Sequence, residues 1–138
     1  MNSNDPVRDF LRERGSGQPV IEAGLAGLVE SWENVVNAVD EGYTLGLDDY
    51  LNDLDVRQLL EGALAVASAA QRQTWTSRLQ RADEQMQLLV KPVAGCLWGE
   101  EVAEEEGWTP KNNWWYFSRP RRGNPDFLAE IAEALGDE

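Results

Sequence analysis

Residues 21–42 read IEAGLAGLVESWENVVNAVDEG, and the spacing of their apolar members decides the fold class. Ile21, Leu25, Leu28, Trp32, Val35 and Val39 recur at intervals of 4, 3, 4, 3 and 4. On a helix advancing about 100° per residue, that spacing places all six within about 80° of one another. Val29 and Val36 widen the stripe, while Glu30, Glu33, Asn34, Asn37 and Glu41 fall opposite, so the segment is an amphipathic helix with an acidic outer face. Gly24 and Gly27 each cost roughly 1 kcal/mol of helix propensity against alanine, which weakens the helix start unless another element packs close there. Gly42 marks its stop.

Upstream, Asp5 can cap and Pro6 takes the first position of a short helix carrying Val7, Phe10 and Leu11 on one stripe, closed by Gly15. Residues 15–19, Gly-Ser-Gly-Gln-Pro, read as a flexible connection. Downstream, Tyr43 to Asp55 reads as a turn and a short helical piece, with Leu45, Leu47, Tyr50, Leu51 and Leu54 inward and Asp48, Asp49 and Asp53 outward. Asp55 followed by Gln58 has the spacing of a capping box, which would open a helix carrying Val56, Leu59, Leu60, Ala63, Leu64 and Ala67. Ser68 followed by Gln71 repeats that signature, so a break is expected near residue 68, with one long bent helix to Val90 as the alternative. Trp75, Leu79, Ala82, Met86 and Leu89 again run 4, 3, 4, 3, and Pro92 ends that helix.

The tail changes character. Residues 93–123 hold four of the six tryptophans among Gly, Pro and Asn punctuation and show no long helical period. Only Trp114 to Ser118 looks extended, and a short hairpin around residues 108–118 is compatible with it. Asn124-Pro125-Asp126 then opens a last helix over residues 124–136, with Phe127, Leu128, Ile131 and Leu135 on its buried side. The expected fold is a single all-α domain spanning residues 1–138. It is a bundle of four to six helices with an irregular, tryptophan-rich C-terminal segment against it.

Histidine is absent, and 25 carboxylates stand against 12 lysines and arginines, giving a net charge of −13 over 138 residues. Without an imidazole there is no Ser/His/Asp triad, no Cys/His dyad and no histidine metal site. The charge is uneven. Residues 22–61 hold ten acids against Arg57, residues 100–107 hold five acids and no base, and residues 108–123 carry +4. Such a field repels nucleic acid and anionic lipid and attracts basic proteins. One cysteine, Cys96, permits no internal disulfide, the start MNSNDPVRDF lacks a signal-peptide pattern, and no apolar run approaches the roughly 20 residues of a membrane span. A cytoplasmic protein with neither membrane nor nucleic-acid partner is expected.

Candidate chemistry is sparse. The cluster Asp48, Asp49, Asn52, Asp53, Asp55 fails the EF-hand pattern, because the sixth position counted from Asp48 is Asp53 rather than glycine. The glutamates of residues 100–106 lie beside Gly107 and read as a solvated run, not as an acid/base pair. Cys96 sits among Ala94, Gly95, Leu97 and Trp98 with no base nearby, as a small buried hydrophobe does. Neither a metal nor a cofactor is called for.

The most specific feature is the run Trp114-Trp115-Tyr116-Phe117-Ser118-Arg119-Pro120-Arg121-Arg122. It reads either as a lid whose rings cover the helices while its arginines pair with acidic faces, or as an interface, since aromatics with arginine are what interfaces use as anchors. The leading expectation is therefore a non-enzymatic protein that binds a basic protein partner or associates with itself. Its surface would be formed by Glu30, Glu33, Asp40, Glu41, Asp48, Asp49 and Asp53, together with Trp115, Arg119, Arg121 and Arg122. Small acidic helical inhibitors of basic toxins or nucleases, such as immunity proteins, illustrate the physics by charge alone. The second expectation is a small-molecule pocket lined by Trp98, Trp108, Trp114 and Trp115 beneath the tryptophan-rich segment.

Overall fold

The computed structural model describes residues 5–136, so the ends of the expected 1–138 domain lie outside the described residues. Six α-helices are present among them: α1 (Pro6–Glu13), α2 (Gln18–Asp40), α3 (Leu47–Val66), α4 (Ala69–Leu89), α5 (Glu100–Glu106) and α6 (Pro125–Ala134). Strands β1 (Val90–Pro92) and β2 (Ser118–Pro120) form a two-stranded antiparallel sheet, and a 3-10 turn occupies Trp114–Tyr116. The fold is all-α, as the periodicity of residues 21–42 requires.

All eight expected apolar positions of α2 are buried, and α2 is the central element, packed against α1, α3 and α4. Its weak start is a break. Gly24 has φ 62° and ψ −152°, a region essentially restricted to glycine, so the helix is interrupted there before it resumes at Leu25. The carbonyls freed by the break are taken by α1, because Arg8 donates from Nε to the Ile21 oxygen (3.2 Å) and from Nη2 to the Glu22 oxygen (2.8 Å). Another element thus packs close at Gly24, where Arg8 of α1 reaches the break, while the near neighbour of Gly27 is Ala23 of its own helix.

The local caps form where their sequence signatures stand. Asp5 accepts from the backbone N–H groups of Val7 (3.0 Å) and Arg8 (3.1 Å), and also from Gln71 Nε2 (3.0 Å), which ties the start of α1 to the first turn of α4. Ser68 and Gln71 make the reciprocal capping box, at 3.1 and 2.9 Å, so two helices rather than one occupy residues 47–89. Arg72 closes the preceding helix by donating to the carbonyls of Leu64 (2.9 Å) and Ala65 (3.0 Å). Asn124 caps α6 through the N–H of Asp126 (3.0 Å).

Four sequence expectations are corrected. The pair Asp55 and Gln58 opens no helix, because α3 already begins at Leu47 and runs through both. Leu45 faces solvent, with 54% of its surface exposed. The sheet is not a hairpin within residues 108–118: β1 leaves α4 directly and pairs with β2, matching Val90 to Pro120, Lys91 to Arg119 and Pro92 to Ser118. The Trp114–Tyr116 backbone is a 3-10 turn rather than a strand, so its rings do not alternate between faces. Trp115, Tyr116 and Phe117 are all buried.

The C-terminal segment is folded on itself by backbone bonds from Val93 to Phe117 (2.9 Å) and Leu97 to Tyr116 (2.8 Å), and the chain is tied back to the bundle by those from Arg121 to Leu89 (2.9 Å) and Asn124 to Tyr43 (2.9 Å). Tyr43, Tyr50 and Phe127 pack with ring centroids 4.8 to 5.3 Å apart, locking α6 against the start of α3. That α3 start is capped from a distance, since the Leu47 N–H donates to Glu130 Oε1 (2.9 Å).

Candidate functional site

A buried polar network explains how the tryptophan-rich segment is held. Arg57, with 6% of its surface exposed, donates from Nε and Nη2 to the two oxygens of Asp83 (3.0 and 2.8 Å) and from Nη1 to Glu61 (3.0 Å). Trp32 Nε1 donates to the same Asp83 (2.9 Å), and the Arg57 guanidinium lies 4.4 Å from the centroid of the Trp115 ring. Desolvation would lower the Arg57 pKa, but the Asp83 and Glu61 contacts outweigh it and the net shift is upward. This network joins α2, α3, α4 and the 3-10 turn around one cation.

Asp55 and Gln58, misread as a cap, are the second attachment. Asp55 Oδ1 accepts from the Tyr116 hydroxyl (2.6 Å) and from Trp98 Nε1 (3.1 Å), and Gln58 Oε1 accepts from Asn113 Nδ2 (2.9 Å). Trp108 stacks on Tyr116 at 4.1 Å between centroids. Outside these contacts a cleft of about 570 Å³ opens between the α1–α2 connection, the middle of α3 and α5. Its walls include Trp98, Trp108, Tyr116, Asp55, Glu106 and Arg14. Trp98 keeps 36% of its surface exposed there although its indole N–H is pinned to Asp55.

The acidic residues of the expected surface separate into two groups. Glu30, Asp40, Glu41, Asp48 and Asp49 are exposed, and none enters an ion pair among the described residues. Asp48 and Asp49 stand in the first turn of α3, where a negative charge complements the helix dipole, and Asp49 also accepts from the Gly46 N–H (3.3 Å). Glu33 and Asp53 are occupied internally. Glu33 takes both arms of Arg78 at 2.7 Å, a hydrogen-bonded pair that lowers its pKa, and Asp53 accepts from the Tyr43 hydroxyl at 2.6 Å. Burial, reinforced by the charge of Asp49, raises the Asp53 carboxyl above its ordinary value despite that hydrogen bond.

Trp115 is the clear correction. With 1% of its surface exposed it is a core residue in contact with Arg57 and offers no face to a partner. Arg121 and Arg122 are exposed, and Arg119 is half-buried with its Nε buried and without a hydrogen-bond partner. The lid arrangement holds for the rings but not for the arginines, since Arg119, Arg121 and Arg122 form no ion pair among the described residues. Arg122 instead donates to the backbone carbonyl of Asp40.

Trp98 and Trp108 do line one cleft, as the pocket expectation requires, while Trp114 borders a separate apolar cleft of about 330 Å³ with Pro92, Val93, Pro110 and Phe117. Asp55, Gln58 and Tyr116 were missed as members of the Trp98 cleft. For Asp55 and Gln58 the sequence offered only a polar pair within α3, and for Tyr116 only its place in the aromatic run. Among the described residues no group of three or more cysteines and carboxylates is placed to hold a metal ion, and no helix is long and apolar enough to cross a membrane. Comparison of the chain with protein-family models, with curated proteins and with solved structures finds no match in any of the three.

Proposed function

We propose that this protein acts by binding, without catalysis, a basic protein partner. The observation that carries the reading is the set of exposed carboxylates Glu30, Asp40, Glu41, Asp48 and Asp49, which the fold leaves without internal cations while it pairs Glu33, Glu61 and Asp83 with arginine. In a chain of net charge −13 these groups add to the glutamates of α5, and the summed field accelerates the encounter with a positively charged surface. The test is affinity capture from a native lysate at low and high salt, with wild type and a variant carrying Glu30→Gln, Asp40→Asn, Glu41→Gln, Asp48→Asn and Asp49→Asn. A basic protein retained by the wild type at low salt, and lost on raising salt or in the variant, supports the reading. Capture indifferent to salt and to the five substitutions overturns it.

A second reading, small-molecule binding, is favoured by one observation: the cleft beside Trp98 and Trp108, about 570 Å³, falls in the size range of ligand sites. It predicts a compound whose binding quenches tryptophan fluorescence with little dependence on salt.

A further inference from the structure

We infer that the cleft between α3 and α5 is the anchor point for a basic side chain of the partner, an inference that rests on the binding reading above. Its walls combine the two things a guanidinium or ammonium group seeks, an aromatic face and a carboxylate with a free oxygen. Trp98 supplies an indole 36% exposed, and its orientation is fixed because its N–H is committed to Asp55 Oδ1 at 3.1 Å. Tyr116 donates to that same oxygen at 2.6 Å, so both internal donors are concentrated on Oδ1. Oδ2 accepts no hydrogen bond among the described residues and is left for an incoming donor.

Glu106, at the end of α5 and also in the wall, enters no ion pair among the described residues. One cation, Arg14, borders the cleft, with its guanidinium 4.9 Å from the centroid of Phe10, so the wall holds two carboxylates against one guanidinium. Arg14 suits the backbone carbonyls flanking a bound side chain, which gives the cleft a donor for the peptide and acceptors for its charge. Aromatic walls desolvate the ion pair and so strengthen it relative to the open acidic surface.

The test uses a capped peptide of alternating glycine, serine and arginine, and a second peptide with citrulline, the neutral isostere, in place of each arginine. Binding is followed by tryptophan fluorescence and by calorimetry at low salt. The cleft substitutions are Trp98→Ala and Glu106→Gln. The comparison is Glu84→Gln, which removes the same charge as Glu106→Gln at an exposed position of α4, a helix that contributes no residue to the cleft or to the acidic surface named above. Thermal melts confirm that each variant is folded, and Glu106→Gln, at an exposed site, keeps the test open should Trp98→Ala unfold.

Arginine peptide binding about tenfold tighter than citrulline peptide, weakened about fivefold or more by each cleft substitution and less than about twofold by Glu84→Gln, is the expected result. Equal weakening by Glu106→Gln and Glu84→Gln, or none from either, overturns the anchor site while leaving an acidic binding surface intact. Failure of the arginine peptide to bind, with a basic protein still captured from lysate, also overturns the anchor site alone. Failure of both experiments removes the binding reading as well.

Discussion

Arg57 and Asp83 form a two-bond ion pair, 3.0 and 2.8 Å, in the interior between α3 and α4, and every element that touches it is a different part of the fold. Trp32 of α2 donates to the carboxylate, and Trp115 of the 3-10 turn covers the guanidinium. Removing one partner strands a buried charge, at a cost of about 3–5 kcal/mol, whereas replacing both by apolar groups is often close to neutral. Asp83→Leu is therefore expected to lower stability by about 3–5 kcal/mol, and the double variant Arg57→Met with Asp83→Leu by clearly less than the sum of the singles. Urea unfolding of the four proteins measures the coupling, and additive losses would refute it.

Trp115 belongs to the same core. Trp115→Ala is expected to cost about 3–5 kcal/mol by cavity formation and loss of the ring beneath Arg57. Because the ring is not at the surface, a conservative Trp115→Phe should leave binding of the arginine peptide within about twofold of wild type. A Trp115→Phe protein that keeps its melting temperature but loses peptide binding would contradict the placement of this ring in the interior.

The break at Gly24 makes a sharp backbone prediction. With φ 62° and ψ −152° it occupies a region that costs a side-chain-bearing residue about 1–3 kcal/mol, so Gly24→Ala should destabilise by that amount although alanine favours helix. At Gly27 a Cβ would come within 2.3 Å of the Ala23 Cβ, so Gly27→Ala should destabilise as well. Stabilisation by either change, measured by denaturant unfolding, would mean that α2 is a continuous helix.

Legibility in the sequence followed the range of the interaction. The stripe from Ile21 to Val39 and the caps at Asp5, Ser68 and Asn124 are set by neighbours within one or two turns, and each is found where its pattern stands. Asp55 and Gln58 carry the same local spacing as Ser68 and Gln71, yet their partners are Trp98, Tyr116 and Asn113, 43 to 61 positions away. A cap signature cannot be told from two polar residues aimed at a distant segment by spacing alone. The burial of Trp115, Tyr116 and Phe117 together was hidden for the same reason: an extended reading of Trp114 to Ser118 would send successive rings to opposite faces, and pairing with β1 begins only at Ser118. The exposure of Glu30, Asp40, Glu41, Asp48 and Asp49 was legible because charge is local information, whereas the place of Asp55 and Glu106 in the cleft was not. The cleft was only partly legible, because its floor comes from α3 and its walls from residues 98–116 and the α1–α2 connection.

All three tyrosines of the chain, Tyr43, Tyr50 and Tyr116, are buried, and burial raises each phenol above its ordinary value. The Asp53 and Asp55 carboxylates add to the rise at Tyr43 and Tyr116, to which they are hydrogen-bonded. An unfolded tyrosine ionises near pH 10, so above about pH 10 the unfolded chain binds fewer protons than the folded one and stability falls as pH rises. Tyrosinate absorbance should therefore appear together with unfolding, in one step. A separate earlier ionisation of one tyrosine in a folded protein would place that phenol in solvent. Tyr50 carries an unpartnered buried hydroxyl, so Tyr50→Phe should be neutral or stabilising by about 1 kcal/mol.

At acid pH the sign reverses. Glu33 is held below its ordinary carboxylate value by its hydrogen bonds to Arg78, so the folded state binds its proton later than the unfolded chain does. That contribution is fully present above about pH 4.5 and disappears as pH falls through the lowered folded-state value. Asp53 acts in the opposite sense, since its raised value makes the folded state slightly more stable as pH falls from the raised value toward the ordinary aspartate value. Glu33→Gln should flatten the acid-side loss of stability, and Asp53→Asn should steepen it while keeping an acceptor for the Tyr43 hydroxyl. Urea midpoints measured from pH 3 to 6 separate the two slopes, and a Glu33→Gln profile parallel to wild type would show that Arg78 holds this carboxylate too weakly in solution to matter.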